Sequence, residues 1–291
     1  MLDKSDIVEA HKVSGIALVV AATLFFSIMD AIAKNLVQSY SVINITCVRY
    51  VIQMFLLVII CGYRLGKTLF TTEFFFIQVA RGFLIVGISI TFFVSLKYLP
   101  LADATAITFI SPILTLILAL FLLKEKIMPR LWIAVLFGMI GVIAIIKPTG
   151  VLFSPVTLLP VLTAILYSVY EVLTKKISVT ESPYTSLFYS AMVGALISSL
   201  VLPLTWQPPN LEQSFLLISL SVVGLLAHYF LILSLKYVSV STIQPYHYLS
   251  LAWASLIGYL VFNEIPDPLS LLGILVIGFS GVIVVKLESK K

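Results

Sequence analysis

The chain has 291 residues, of which 60% are hydrophobic and 11% carry charge, with a formal net charge of +5. A soluble domain carries about 25% charged residues, so this chain cannot cover a water-facing surface of its size, which excludes a soluble globular protein. We therefore predict an all-α integral membrane protein.

In chain order, ten apolar stretches qualify as membrane helices, which need about 20 mostly apolar residues. The predicted spans are 13–33, 42–61, 74–96, 101–122, 131–146, 156–174, 184–204, 214–235, 240–262 and 268–285. Their continuous apolar character excludes the alternating pattern of a membrane β-barrel. Charged or turn-forming residues, such as Pro148-Thr149-Gly150, separate them.

The positive charges predict how these spans are oriented. If the N-terminus is cytoplasmic, 13 of the 18 lysines and arginines fall in cytoplasmic segments, three in outer segments and two within helices. Cytoplasmic loops carry such an excess of positive charge, so we expect both termini on the cytoplasmic side of a bacterial inner membrane. Anionic lipid headgroups account for most of these cations, which makes lipid the expected partner and excludes nucleic acid.

The two halves of the chain share features at a nearly constant offset of 139 to 141 residues. The matched features are Ser95–Tyr98 with Ser234–Tyr237, Glu125 with Glu264, Gly138–Ile143 with Gly278–Ile283, and Asp30 and Lys34 with Glu171 and Lys175. Chance similarity among apolar helices is the alternative, but four matches at one offset favour an internal repeat.

This repeat predicts an inverted arrangement, because each half holds five spans and an odd number reverses the orientation of the second half. We predict a first repeat over residues 1–148 and a second over 149–291. Inverted repeats around a central site are typical of secondary transporters that work by alternating access.

Ionisable side chains within spans are costly and are therefore candidates for function. They are Asp30, Arg49, Arg81, Glu171, His228 and His247. Arg49 lies roughly 12 Å from the outer end of its helix at 1.5 Å per residue, and Arg81 is similarly far from a boundary. Each guanidinium needs a carboxylate. That carboxylate belongs either to the protein, as in a fixed pair of Arg49 with Asp30, or to a substrate.

Asp30 and Glu171 each precede a lysine by four residues, the spacing of an ion pair along one helix. We interpret Asp30, Lys34 and Lys175 as gate or ion-pair residues at opposite membrane faces. A plain interfacial ion pair is the alternative interpretation.

The ninth span begins with Gln244-Pro245-Tyr246-His247-Tyr248, where Pro245 removes a backbone donor and disturbs the helix. Spacings of three and four place the polar members of this motif on one face. Aromatic faces beside a carboxylate suit a cationic organic group. The predicted substrate contacts are Arg49, Arg81, Tyr167, Tyr170, Glu171, Gln244, His247 and Tyr248. Packing is the alternative for the tyrosines, and we interpret His228 as a core histidine.

Several of these residues resemble one known family. The chain is similar to the EamA branch of the drug/metabolite transporter superfamily over nearly its whole length and in both halves. The residues that carry the resemblance are Lys34, Cys47-Val48-Arg49-Tyr50, Ser95-Leu96-Lys97-Tyr98, Ser111-Pro112, Glu125, Gly138 and Gly141. The resemblance implies a ten-helix basket with a central cavity and no bound cofactor.

A narrower resemblance links the chain to the S-adenosylmethionine uptake carriers of intracellular bacteria. It rests on Arg81-Gly82, Leu187–Ala191, Pro245-Tyr246-x-Tyr248-Leu249 and Phe262-Asn263-Glu264-x-Pro266-Asp267. This resemblance implies that a sulfonium and an ammonium meet Glu171 and tyrosines, that a carboxylate meets Arg81, and that an adenine stacks on an aromatic ring.

The leading hypothesis is therefore a secondary transporter for a small polar metabolite, S-adenosylmethionine among the candidates. Export of amino acids or drugs and import of a vitamin are alternatives within the same fold. A channel or a non-transporting scaffold is the alternative from another class. A lipid-modifying enzyme would need clustered acids or a metal site, which the sequence does not suggest. The direction, the driving ion and the oligomeric state stay open, with a homodimer among the alternatives.

Overall fold

The structure is a computed structural model that describes residues 4–146 and 155–265 and, beyond these, residues 268, 269, 272, 273, 275 and 276. Within the two long ranges, every regular element is helical. The helices are α1 Lys4–Leu36, α2 Val42–Leu65, α3 Phe75–Leu96, α4 Leu101–Thr108, α5 Ser111–Leu118, α6 Pro129–Ile146, α7 Leu158–Ser178, α8 Pro183–Thr205, α9 Leu211–Tyr237, α10 Val240–His247 and α11 Leu249–Phe262. Short 3₁₀ turns at Gly66–Leu69 and Pro155–Thr157 and a π segment at Ala119–Leu123 complete them.

Among the described residues, seven helical stretches are long and apolar enough to cross a membrane by length and composition. They are His11–Leu36, Val42–Tyr63, Phe75–Leu96, Leu101–Leu123, Pro155–Ser178, Pro183–Thr205 and Leu211–Tyr237, and they correspond to predicted spans one to four and six to eight. The fifth span corresponds to α6, within which Leu131–Gly141 is a shorter apolar stretch, and the ninth is divided between α10 and α11. The tenth span lies largely outside the described residues, as does the predicted repeat boundary at 148/149.

Two of the predicted spans are broken in the middle, at equivalent places. The fourth breaks between α4 and α5 at Phe109 and Ile110, just before Pro112. The ninth breaks at Tyr248, three residues after Pro245. Pro112 lies at the start of α5, where a missing backbone donor is tolerated, whereas Pro245 lies inside α10, three residues before the break.

The ends of the two broken spans also match. Lys124 follows the π segment after α5 and Asn263 follows α11, and both residues adopt left-handed backbone with φ of 54°. Phe109 and Tyr248 are 139 positions apart, as are Lys124 and Asn263. The internal repeat is therefore visible in the backbone as well as in the sequence.

The helices of the two halves pack mainly against one another: α1 runs along α9, α2 along α8 and α3 along α7. Glycines bring some of these helices close, because small residues let membrane helices approach. A Cβ on Gly15 of α1 would lie 2.8 Å from Val238, and one on Gly82 of α3 would lie 2.5 Å from Val193 of α8. The arrangement requires both halves at once.

Apolar and polar side chains are distributed as expected for a protein in lipid. Large apolar side chains face outward, with Phe76 86% and Leu200 80% exposed, whereas Arg49 and Arg81 are buried. Lipid is an acceptable solvent for the first set but not for the second. The interior therefore holds the polar groups that function requires.

Candidate functional site

A central cavity of about 850 Å³, including the space at its mouth, lies between the two halves. Residues of α1, α2, α3, α4, α5, α7, α9, α10 and α11 line the cavity. Its aromatic lining residues are Phe26, Phe92, Phe93, Phe109, Tyr167 and Tyr170, and its ionisable lining residues are Asp30, Arg49, His228 and His247.

Arg49 is held in the cavity wall by two neutral partners. Its Nη1 donates to Ser89 Oγ at 3.2 Å and its Nη2 donates to His228 Nε2 at 3.2 Å. Because Nε2 accepts this bond, the neutral imidazole carries its proton on Nδ1. Arg49 Nε and His228 Nδ1 are both buried without a hydrogen-bond partner among the described residues. Two adjacent donors are thus left unsatisfied.

Asp30 lines the same cavity, on α1. It is only partly buried and forms no hydrogen bond or ion pair with any residue that the structure describes. Arg49 is close enough for its charge to act on Asp30, yet the fixed pair that the sequence left open as an alternative does not form. The physical reason is that Ser89 and His228 already orient the guanidinium.

Glu171 lies behind the cavity wall rather than in it. Its side chain is fully buried, with Oε1 2.8 Å from His247 Nε2 and with Oε2 accepting from Gln244 Nε2 at 2.9 Å. His247 lines the cavity and packs edge-on against Tyr167. The structure therefore brings together Glu171, Gln244, His247 and Tyr167 of the predicted site, with the carboxylate covered by the imidazole.

Arg81 is fully buried and lies outside the cavity lining. It donates to Thr174 Oγ1 at 2.8 Å, to Gln78 Oε1 at 2.6 Å and to the hydroxyl of Tyr170 at 3.2 Å. The guanidinium carbon lies 5.0 Å from the centre of the Tyr170 ring, and that ring separates it from the cavity. Of the two alternatives for Arg81, a protein carboxylate or a substrate carboxylate, the first is not found among the described residues, where neutral oxygens accept from the guanidinium.

The ion pairs within single helices, which the i, i+4 spacing left open as an alternative, do not form among the described residues. Lys34 forms its ion pair with Glu264, not with Asp30. Lys175 donates to the backbone carbonyls of Leu235 and Val238, each at 2.7 Å, instead of to Glu171. In both helices the acid faces the protein interior, whereas the lysine reaches groups of a neighbouring segment at the helix end.

Two equivalent carboxylates cap the broken spans across the halves. Glu125 accepts from the backbone N–H groups of Val240 and Ser241, at 3.1 and 3.2 Å. Glu264 accepts from the N–H of Leu101 at 3.2 Å. A carboxylate at a helix N-terminus is favourable because the first N–H groups lack partners within the helix. Each half thus provides the cap that the other half's broken span requires.

Two residues, Tyr248 and His228, lie elsewhere than the sequence analysis predicted. Tyr248 does not line the cavity, because its hydroxyl donates to the carbonyl of Val135 in α6 at 2.9 Å. His228, interpreted as a core histidine, lines the cavity beside Arg49. The repeat offset could have revealed this role, since His228 lies 139 positions after Ser89. Both side chains accept hydrogen bonds from the guanidinium of Arg49.

Comparisons with known proteins agree with this architecture. A family model described as the EamA-like transporter family matches residues 13–147 and 154–286. An S-adenosylmethionine uptake transporter of Rickettsia prowazekii is 30% identical over 95% of this chain and 94% of its own length. A riboflavin transporter of Vibrio cholerae is 28% identical over 98% and 97%, and a pseudopaline exporter of Pseudomonas aeruginosa is 24% identical over 89% and 92%. A solved crystal structure with 19% identity shares the fold at a TM-score of 0.78, covering 95% of this chain and 98% of the other.

Proposed function

The chain belongs to the EamA-like transporter family, and we propose that it is a secondary carrier that moves a small polar metabolite across the bacterial inner membrane by alternating access. It is a multi-pass membrane transporter and not an enzyme. The proposal concerns the mechanism, the membrane and the substrate.

The reciprocal caps are the observation that carries this proposal. Glu125 and Glu264 lie 139 positions apart, and so do the Val240 and Leu101 N–H groups that they accept from. A contact that recurs with both partners shifted by one offset supports a two-fold relation between the halves. This supports ten helices in two five-helix repeats, residues 1–148 and 149–291.

The position of the caps along α1 supports an inverted arrangement. Glu264 pairs with Lys34 near the C-terminal end of α1. Glu125 caps α10 at Val240, and the nearby Val238 packs against Gly15 near the N-terminal end of α1. Nineteen residues of α-helix separate Gly15 from Lys34, roughly 28 Å at 1.5 Å per residue. This is about the thickness of the hydrocarbon core, so the two caps belong to opposite faces of the membrane.

The lysines at the two ends of the cavity have different kinds of partner, as expected of a carrier in one of its two states. Lys34 is paired with Glu264, but Lys175 is bonded to carbonyls. We infer that Lys34 releases Glu264 when the cavity opens at that end, and that Lys175 then pairs with Glu125. Alternating access needs two such states of similar free energy.

The proposed substrate is S-adenosylmethionine or a similar amino-acid-like compound, because the relative from Rickettsia prowazekii carries that substrate in its name and matches 95% of this chain. Vitamin import and export of amino acids or drugs are the alternatives, since relatives of nearly full length are a riboflavin transporter and a pseudopaline exporter. The distribution of lysine and arginine supports cytoplasmic termini.

Counterflow in proteoliposomes tests the carrier mechanism. The purified full chain is reconstituted, loaded with unlabelled S-adenosylmethionine or riboflavin, and given the labelled compound outside. A carrier saturates and accumulates label transiently through exchange, and liposomes without protein are the control. Uptake that neither saturates nor exchanges would identify a channel, and absence of protein-dependent uptake of either compound would reject the proposed substrates.

A further inference from the structure

We propose that the cavity binds a zwitterionic ligand of the amino-acid type, with Asp30 contacting its ammonium and with Arg49 and His228 contacting its carboxylate. This inference rests on the proposed carrier function and names the chemical class of its substrate.

The negative pole of the site is Asp30. It lines the cavity, is only partly buried and lacks any hydrogen bond or ion pair within the described part of the chain. An ionised carboxylate within a membrane helix is costly unless it has a partner. The aromatic rings of Phe26 and Tyr167 belong to the same lining, and aromatic faces attract organic cations. An ammonium group is therefore the chemically complementary occupant.

The positive pole is formed by Arg49 together with His228. Both residues line the cavity, and the partners of the guanidinium, Ser89 Oγ and His228 Nε2, are neutral. A guanidinium charge within a membrane helix is costly without an anionic partner, and no described carboxylate forms an ion pair with it. A carboxylate of the ligand meets this need.

The two poles are kept apart by the protein itself. Opposite charges in a medium of low dielectric constant attract strongly, yet no ion pair joins Asp30 to Arg49, because Ser89 and His228 anchor the guanidinium to α3 and α9. The cavity thus holds one carboxyl group and one guanidinium that form no ion pair with any described residue. A ligand that carries both charges gives each of these groups a partner, whereas a ligand with a single charge leaves one of them without a partner.

Glu171 is unsuited to the role of ammonium partner that the family resemblance implied. Both of its oxygens are already bonded, to His247 and Gln244, and its side chain is fully buried. Asp30 occupies the equivalent position in the other half, 141 residues earlier, and reaches the cavity. One acidic position of the repeat is therefore open to a ligand while the other is closed.

The aromatic lining specifies the rest of the ligand. Phe92, Phe93, Phe109 and Tyr170 leave an apolar surface beside the two poles. Such a surface accommodates an amino acid with a large apolar or aromatic side group, and aromatic faces also attract an onium group. The expected substrate is thus a zwitterion with a sizeable body, a description that includes S-adenosylmethionine.

Counterflow with matched ligands tests the inference. The reconstituted full chain is given S-adenosylmethionine, riboflavin and each of the twenty standard amino acids. The best zwitterion is then compared with its decarboxylated amine and its deaminated acid. Because a hydrogen bond to a charged group contributes the equivalent of about 10- to 150-fold in affinity, we expect each truncated ligand to lose half-saturating affinity by that factor.

Variants assign each end of the ligand to a residue. The Asp30→Asn variant should bind the deaminated acid as well as it binds the zwitterion, because the ammonium has lost its partner. The Arg49→Lys variant should likewise bind the decarboxylated amine as well as it binds the zwitterion. Glu212→Gln, an equivalent neutralisation of an exposed acid in the first turn of α9, is the control and should behave as the wild type. If Arg49→Lys fails to fold, Asp30→Asn alone decides the ammonium assignment.

The outcomes separate this inference from the carrier proposal. Exchange of riboflavin or of a singly charged compound, without exchange of any zwitterion, overturns the inference but leaves the carrier in place. Retention of the full ligand discrimination in Asp30→Asn also overturns it. Absence of saturable exchange for the whole panel rejects both proposals.

Discussion

Replacing Glu264 by glutamine tests how the Lys34 end of the cavity is closed. Glutamine removes the charge that pairs with Lys34 but keeps a side-chain oxygen that can accept from the N–H of Leu101. The cap is preserved while the ion pair is lost. We therefore expect the cavity to open more often at this end.

The magnitude follows from how far the ion pair is buried. The side chains of Lys34 and Glu264 are 10% and 26% exposed, which places the pair between exposed pairs worth up to about 1 kcal/mol and buried pairs whose disruption costs about 3–5 kcal/mol. We expect the closed state to lose about 1–2 kcal/mol, a factor of about 5–30 in its population relative to the open state.

Labelling of a single cysteine in the cavity measures this shift. Cys47 and Cys61 are free and buried, and replacing both by serine gives a background in which Ser250, a lining residue, is changed to cysteine. A membrane-impermeant maleimide applied from the Lys34 side should react about 5–30 times faster in the Glu264→Gln variant.

The matched control is Glu125→Gln, which makes the same change at the opposite cap. It should leave labelling from the Lys34 side unchanged or slower, because it weakens the other end. Equal acceleration in both variants, or no acceleration in either, would refute the assignment of the two carboxylates to opposite gates.

Three further predictions concern the cavity and its surroundings. Gly224→Ala places a Cβ 2.9 Å from the Met29 sulfur and 3.3 Å from Arg49 Nε. Because both residues line the cavity, the half-saturating substrate concentration in counterflow should rise several-fold. Gly62→Ala is the control and should leave that concentration unchanged, since its Cβ would lie no closer than 3.9 Å to a neighbour. Tyr248→Phe removes one hydrogen bond outside the cavity. The free energy of unfolding, measured by thermal unfolding in detergent, should fall by about 0.5–1.5 kcal/mol, while substrate affinity stays constant. A raised half-saturating substrate concentration would instead show that Tyr248 contributes to substrate binding. Glu171→Gln should abolish exchange and lower the unfolding temperature, because it weakens the anchor of His247; wild-type exchange in this variant would remove the anchor from the mechanism.

Local composition was sufficient to predict most of the helices. Seven of the predicted spans recur as long apolar helices, because the need to satisfy backbone groups in lipid leaves few alternatives to a helix. Pro245 also indicated that the ninth span is disturbed, and the break lies three residues after it. These features depend on residues close together in the sequence.

The partners of the charged residues could not be predicted in the same way. Lys34 pairs with a glutamate 230 residues away, and Glu125 caps a helix 115 residues away. The i, i+4 rule favours pairs within a helix, but it cannot weigh them against partners that the tertiary fold brings nearer. The sequence therefore identified Asp30 and Glu171 as important residues but could not reveal which groups surround them.

The reciprocal caps have a consequence for how the protein is made. The helix that begins at Leu101 obtains its cap from a residue synthesised 163 positions later. At about 5–20 residues per second, the ribosome needs roughly 10–30 s to reach that glutamate. During this interval the first N–H groups of α4 lack the acceptor that Glu264 provides. A chaperone or lipid group that accepts from them would therefore raise the yield of correctly assembled protein.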